Sequence, residues 1–421
     1  MILAIRANNY LVYSEKVELS LRANMKIKRM ATNTVSIVNL HVLKSVGIYG
    51  ANNVGKTCLL RAINSIKNVL LSIVAEVPAN LYTNDPVCCL GITFTDGDHI
   101  YSYDFKFNSG RNNGIPQGFV YENFSEIKID RYGNESQTTI FLKDAEKQVY
   151  SFPGDQNIEE LMKSVAVNNI LIYTINTDKY ERVGKIKEIL RACAESIEII
   201  ALDDIPLDKT IQILKDENAD KTRLVNLIKS ADLDIENYHY VKPDVINMNV
   251  EPVRGIPQEA VLRAQTLMTD MFCLVSNHRG KEVQSISYDS TGTKKVVALA
   301  GYIVEALEKG KTLVVDELDS SLHFKLTRAI VSLFNNELNS KAQLIFTVHD
   351  ITLLDCKKLF RKDQIWFASK EEGIAYLYSL ADFTARDGVR SDSSDIAALY
   401  RSGILGAMPE PDLISVLLRG E

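Results

Sequence analysis

The segment Gly50-Ala-Asn-Asn-Val-Gly55-Lys56-Thr57 constrains this chain more than any other. It fits the pattern GxxxxGK[ST], whose glycines let the backbone curl until its N–H groups point inward around a phosphate. The pattern has meaning only between a strand and a helix, and the flanks supply both. Ser45–Tyr49 is an apolar run of strand length, and from Lys56 to about Ala75 apolar residues recur at helical spacing (Leu59, Leu60, Ile63, Ile66, Val69, Leu70, Ile73). A helix start adds positive potential for an anion. Gly50, Asn52, Asn53 and Gly55 are then the loop, Lys56 reaches the β- and γ-phosphates, and the Thr57 hydroxyl ligates magnesium. A chance glycine turn is the plain alternative, and the flanks argue against it.

Lys311-Thr-Leu-Val-Val-Asp316-Glu317 reads as a buried strand ending in two carboxylates. Side chains alternate along a strand, so Asp316 can face the magnesium while Glu317 reaches a water beyond the γ-phosphate. Asp316 is the candidate metal residue and Glu317 the candidate general base. A strand ending in a solvated acidic turn would look the same in isolation, but here a phosphate loop accompanies it. Gln343-Leu-Ile-Phe-Thr-Val-His349 is a further apolar strand, and a histidine at its carboxyl edge is placed to hydrogen-bond a γ-phosphate. His323, expected within a helix after Asp319, is read as structural.

Asp289-Ser290-Thr291-Gly292-Thr293-Lys294 opens another expected helix, residues 292–308. Ser and Gly at a helix start leave N–H groups free for a second phosphate site, although an unliganded Ser N-cap has the same sequence. One chain cannot easily aim two such sites at one triphosphate, so the pattern implies pairing across a dimer.

Between these motifs the segments near 91–95, 101–107, 119–121 and 138–142 alternate and are separated by Gly/Asn/Asp turns, an antiparallel meander. Strands are expected at 2–5, 17–21 and 35–42 as well. From about 157 to 231 the pattern turns helical, with helices expected at 181–194 and 209–229; residues 242–258, with Pro243, Pro252, Gly255 and Pro257, read as irregular chain, and alternation returns at 283–288. The fold class expected is α/β, a P-loop head with a mixed sheet and a β meander, holding a mainly helical insertion. The domains are 1–153 with the phosphate loop, 154–270 as insertion, and 271–421 with the remaining motifs. At 421 residues, more than one lobe is the default.

A formal charge of −6 gives no global attraction for nucleic acid, so any DNA contact must be local. The basic run Arg22, Lys26, Lys28 and Arg29 is read as a solvated loop in preference to a DNA contact. Six scattered cysteines form no CxxC pair, which fits a reduced cytoplasm, and no stretch approaches the ~20 apolar residues of a membrane span.

Taken together, these motifs resemble the ABC-ATPase superfamily, and within it the AAA15 or AAA_21 branch of bacterial ATPases used in anti-phage abortive infection. The residues that carry the likeness are GxNNxGKT (50–57), Ser-Thr-Gly-Thr in place of LSGGQ (290–293), DExxxxLH (316–323), FTxHDxxLL (346–354) and YRSGxxGAMP (400–409). The resemblance implies ATP with Mg2+, sandwiched between Lys56 and Thr57 of one subunit and Ser290 and Gly292 of another, with Asp319 as the D-loop aspartate. It implies a homodimer or higher homo-oligomer and slow ATP hydrolysis. It also implies a co-encoded effector, a TOPRIM-like, RloB-like or HNH nuclease, because this chain carries no nuclease motif. No glutamine is assigned to the metal site; Gln117 falls in the meander. A GTPase would need an NKxD motif, which is absent. An SMC/Rad50-like repair or structural ATPase is the alternative, and it calls for a long heptad arm that the middle segment lacks.

Overall fold

In a computed structural model the chain is described over residues 1–73, 77–110, 117–166, 168–177, 179–201, 206–231, 234–242, 258–390 and 394–406. Six strands form the central sheet, in the order Ile197–Ile200, Thr312–Val315, Gln343–Thr347, Ser45–Tyr49, Ile365–Glu371, Ile374–Ser379. The first five run parallel and the last is antiparallel. Parallel strands buried on both faces need apolar residues on both, and here the alternation sorts them. Val46, Ile48, Val314 and Ile345 face one core, whereas Tyr49, Leu313, Val315, Leu344 and Phe346 face the other.

On the first face lies the helix Lys56–Leu70, and beyond it a seven-stranded antiparallel sheet that joins Ile2–Asn8 and Val17–Ser20 to the meander. The helices Thr291–Lys309 and Phe324–Asn335 cover the second face. The sequence order is thus broken and rejoined around one sheet, an α/β head with a β meander. Gln343 shows how tightly. Its amide is bonded to both the N–H and the carbonyl of Ile2, to the Leu43 carbonyl and to the Thr312 hydroxyl, at 2.6–3.1 Å. One buried side chain therefore ties the N-terminal strand, the approach to the phosphate loop and the acidic strand together.

Several expected elements differ in detail. The single strand at 35–42 is a hairpin, Thr34–Ile37 with Leu40–Leu43, because Val38 takes a left-handed turn (φ 51°). The long helix at 209–229 is two, Asp208–Lys215 and Thr222–Ser230; Asp216 and Asp220 accept local N–H bonds from Asn218 and Thr222 and compete with helix continuation. Alternation at 283–288 gives a short strand, Lys281–Gln284, then a helical turn, Ser285–Tyr288. Residues 154–270 are not helical throughout, since Ile197–Ile200 pairs in parallel with Thr312–Val315 at the edge of the central sheet. His323 caps the helix Phe324–Asn335, its Nδ1 accepting from Lys325 N–H at 3.3 Å, instead of lying inside it.

The basic run is an ordered loop. The Arg361 guanidinium, paired with Asp363, donates to the carbonyls of Asn24, Ile27 and Arg29. Arg22 pairs with Glu135. All six cysteines are free thiols, and no helix among the described residues is long and apolar enough to cross a membrane. Residues 243–257 and the end of the motif at 400–409, from 407 on, lie outside the described residues.

Candidate functional site

The strand Ser45–Tyr49, buried along its whole length, delivers the chain to Gly50 at the carboxyl edge of the sheet. Gly50 has φ 152°, and a Cβ there would sit 2.3 Å from the Ala368 carbonyl, so no other residue fits. Asn53 and Gly55 also have positive φ, which curls the loop into the helix Lys56–Leu70. Tyr13, fully buried, donates its hydroxyl to the Gly55 carbonyl at 3.0 Å and props the loop from below. The Lys56 ammonium donates to the Gly50 and Ala51 carbonyls at 2.6 and 2.8 Å, folded into its own loop. Burial holds its pKa below that of an ordinary lysine, opposed by the carboxylates of Glu317, Asp316 and Asp319.

Thr57, the first-turn residue of this helix, donates its hydroxyl to Asp316 Oδ2 at 2.8 Å, across 259 residues of sequence. Two hard oxygens side by side are the donors Mg2+ takes, so Thr57 and Asp316 fit as its protein ligands. The strand Gln343–Thr347 lies between the strands that carry them, and its last residue organises the turn. Thr347 donates its hydroxyl to Asp316 Oδ1 and accepts the Glu317 N–H at 2.7 Å. Glu317 sits in a left-handed conformation (φ 44°) that costs a non-glycine residue energy unless its surroundings hold it. Its Oε1 lies 3.4 Å from His349 Nε2, so the two strand-end residues that the sequence singled out do meet. Asp319 does not face the loop with both oxygens; Oδ2 accepts the N–H groups of His349 and Asp350 at 3.0 and 2.7 Å, which fixes the histidine's backbone.

A cleft of about 350 Å³ opens over this arrangement, lined by Ala51, Asn52, Asn53, Gly55, Lys56, Thr57, Cys58, Arg61, Glu317 and His349. Asp316 lies below it, nearly buried. Arg61, exposed on the same helix face one turn beyond Thr57, adds a cation that motif reading missed; the i, i+4 spacing from Thr57 was its signal. Thr347 gave no such signal, because threonine is ordinary in strands.

Ser290 and Gly292 are not among the residues lining this cleft. Ser290 is the N-cap of the helix Thr291–Lys309, its hydroxyl accepting the Thr293 N–H at 3.2 Å, and it and Thr291 are exposed. A Cβ on Gly292 would lie 2.7 Å from the Ser321 carbonyl, so this helix start packs directly on the turn that follows Glu317. Behind it, buried Asp289 accepts from the Ser276 hydroxyl at 2.9 Å and contacts His278 Nε2 at 3.1 Å. Among the described residues, the phosphate loop and the acidic strand thus meet at this cleft, and a second helix start outside its lining exposes a serine.

The sequence profile of the family described as AAA domain, putative AbiEii toxin, Type IV TA system matches residues 45–355. No curated protein matches the chain. Similar solved structures include the SMC head domain from Thermotoga maritima, at 12% identity over 90% of this chain and 98% of that one, with a TM-score of 0.38. An SMC head bound to the C-winged helix domain of ScpA has 14% identity over 92% and 99%, TM-score 0.43. An SMC head with an extended coiled coil, bound to the C-terminal domain of ScpA derived from Pyrococcus furiosus, has 12% identity over 92% and 97%, TM-score 0.37.

Proposed function

Because the chain belongs to the family described as AAA domain, putative AbiEii toxin, Type IV TA system, we propose that it binds and hydrolyses ATP with Mg2+ as a pair of heads. In that pair it serves as the nucleotide-driven sensor and scaffold of an anti-phage system whose separately encoded effector it restrains. The observation that carries the ATPase part is the contact between Thr57 and Asp316, which brings phosphate loop and acidic strand to one point with Glu317 beside it.

Lys56 leaves the Gly50 and Ala51 carbonyls for the β- and γ-phosphates, and the loop N–H groups of residues 52–57 cradle them. Thr57 and, through water, Asp316 would hold Mg2+, which would supply charge neutralisation for the transferred phosphoryl group. Glu317 takes a proton from the attacking water, and His349, 3.4 Å away, orients it and bonds the γ-phosphate. The exposed Ser290, with Gly292 beside it, closes on the nucleotide of a second copy. Residues 1–153 and 271–421, with the strand Ile197–Ile200 that joins their sheet, form the head in this reading; the rest of 154–270 is the insertion, and a partner docks on it or on the outer face.

The sensor role rests on family membership and on chemistry: a nucleotide switch and no second catalytic cluster among the described residues. A paired head changes shape between its ATP-bound and released states, so a docked effector is held in one and freed in the other. The test is to express the chain with and without its co-encoded neighbour, challenge cells with phage, and measure ATP and GTP turnover of the purified chain with and without DNA. Protection is expected only from the two genes together, with turnover specific for ATP and indifferent to DNA. Full protection by this chain alone would remove the effector, and several-fold stimulation by DNA would favour the SMC/Rad50-like alternative.

A further inference from the structure

The helix Thr291–Lys309 offers its first residues outward, yet one side chain from its first turns reaches inward. Lys295 Nζ donates to the Glu317 carbonyl at 3.0 Å and to the Ser320 carbonyl at 2.7 Å. Those two acceptors bracket the turn that carries the candidate base. The Glu317 N–H is already bound by the Thr347 hydroxyl, and Lys295 adds a second donor to the Glu317 carbonyl, which also accepts the Ser320 N–H at 3.0 Å. Such anchoring is what a left-handed glutamate requires, and Ser321, one residue beyond the Ser320 contact, is left-handed as well (φ 59°). Lys295 is half-buried, and burial holds its pKa below the usual lysine value against the pull of Asp319 and Glu317; a cation placed there without acceptors would be costly.

We infer that Lys295 is a positioning residue for the Glu317 carboxylate, and that through it each chain's outward helix start reports to its own hydrolytic turn. This rests on the paired-head reading and adds a direction to it. In a pair, the helix start of one chain touches its partner's nucleotide, but Lys295 on that same helix holds the base that acts on its own chain's nucleotide. Docking at one site therefore bears on the geometry of the other. A carboxylate displaced by 1 Å costs roughly a hundredfold in rate, so losing the two bonds should show in turnover and not in ATP affinity.

Mixed assemblies separate this role from a merely structural one. Lys56→Ala chains lack a phosphate loop, and Thr291→Glu chains carry a negative charge at the exposed helix start, a change that favours the helix itself while repelling a partner's phosphate. Mixing them restores one composite site, with its loop and base from the Thr291→Glu chain. Lys295→Met is then placed in either chain. The inference predicts a loss of roughly tenfold or more when it sits in the Thr291→Glu chain, and none when it sits in the Lys56→Ala chain. A loss that follows the Lys56→Ala chain, or falls equally on both, would overturn it, since Lys295 would then serve the helix start. If mixing restores nothing, the paired-head reading fails by itself. The inference is then decided in the unmixed protein, where Lys295→Met must lower kcat with KM unchanged and Lys295→Arg must recover most of it. Wild-type kcat in Lys295→Met overturns the inference whatever the assembly.

Discussion

Thr347 uses one hydroxyl for two partners, giving its proton to Asp316 and accepting the Glu317 N–H, so the candidate metal ligand and the candidate base are registered to the same atom. Thr347→Val keeps the shape and removes both bonds. Orientation by such outer groups is typically worth ten- to a hundredfold, so the Mg2+ concentration for half-maximal turnover should rise by roughly that factor, while Thr347→Ser stays near wild type. An unchanged Mg2+ titration in Thr347→Val would show that Asp316 needs no such support. At this scale the sequence was informative where chemistry demands a residue type: a lysine and threonine after a glycine loop, and paired carboxylates at a strand end. It was silent on Thr347 and Lys295, and it marked Arg61 only by the i, i+4 spacing from Thr57. Their importance comes from where a turn or a helix face points, and that depends on packing between segments far apart in sequence.

Elements were legible when their own pattern was long and periodic. The helix Thr291–Lys309 emerged at its expected limits to within a residue or so, and the phosphate-loop helix began at Lys56 as expected but stopped at Leu70, short of Ala75, before Ser72 turns left-handed (φ 58°). Ile197–Ile200 did not emerge, because three isoleucines and a glutamate just after a helix end are too short to show a period that distinguishes strand from helix end. The three-residue steps near Asp216 and Asp220 were hidden for a different reason: the apolar stripe resumes in phase, and only the local carboxylate bonds break it. Within the meander, Glu122 and Lys143 are buried together, and Glu122 also takes the Tyr103 hydroxyl at 2.9 Å and the Leu171 N–H at 3.0 Å. Burial pushes the Glu122 carboxyl up while Lys143, Leu171 and Tyr103 pull it down, so the group depends on its partners. Lys143→Met should destabilise the protein by about 3 kcal/mol in urea unfolding at pH 7, and adding Glu122→Gln should return much of that loss. A single-variant loss under about 1 kcal/mol would mean that water reaches the pair.

For the whole molecule, the decisive property is that residues 45–57 and 316–349 reach one edge of one sheet from segments far apart in the sequence, while the exposed Ser290 is not among the residues that line the cleft they form. The ordered motifs foretold the first half of that statement, since a phosphate loop has no use for an acidic strand unless both reach the same phosphate. The second half needed the packing of Gly292 against Ser321, which seats the helix start on the turn that follows Glu317. If Ser290 and Gly292 close on a second copy's nucleotide, as proposed, pairing of the chains must depend on nucleotide. The mass of the Glu317→Gln protein in solution with ATP and Mg2+ measures it, because that variant should bind ATP without consuming it. An even-numbered assembly is expected with ATP; it should fall apart with ADP and should not form in Lys56→Ala. A Glu317→Gln protein that holds ATP and stays a single chain at saturating nucleotide would contradict this pairing.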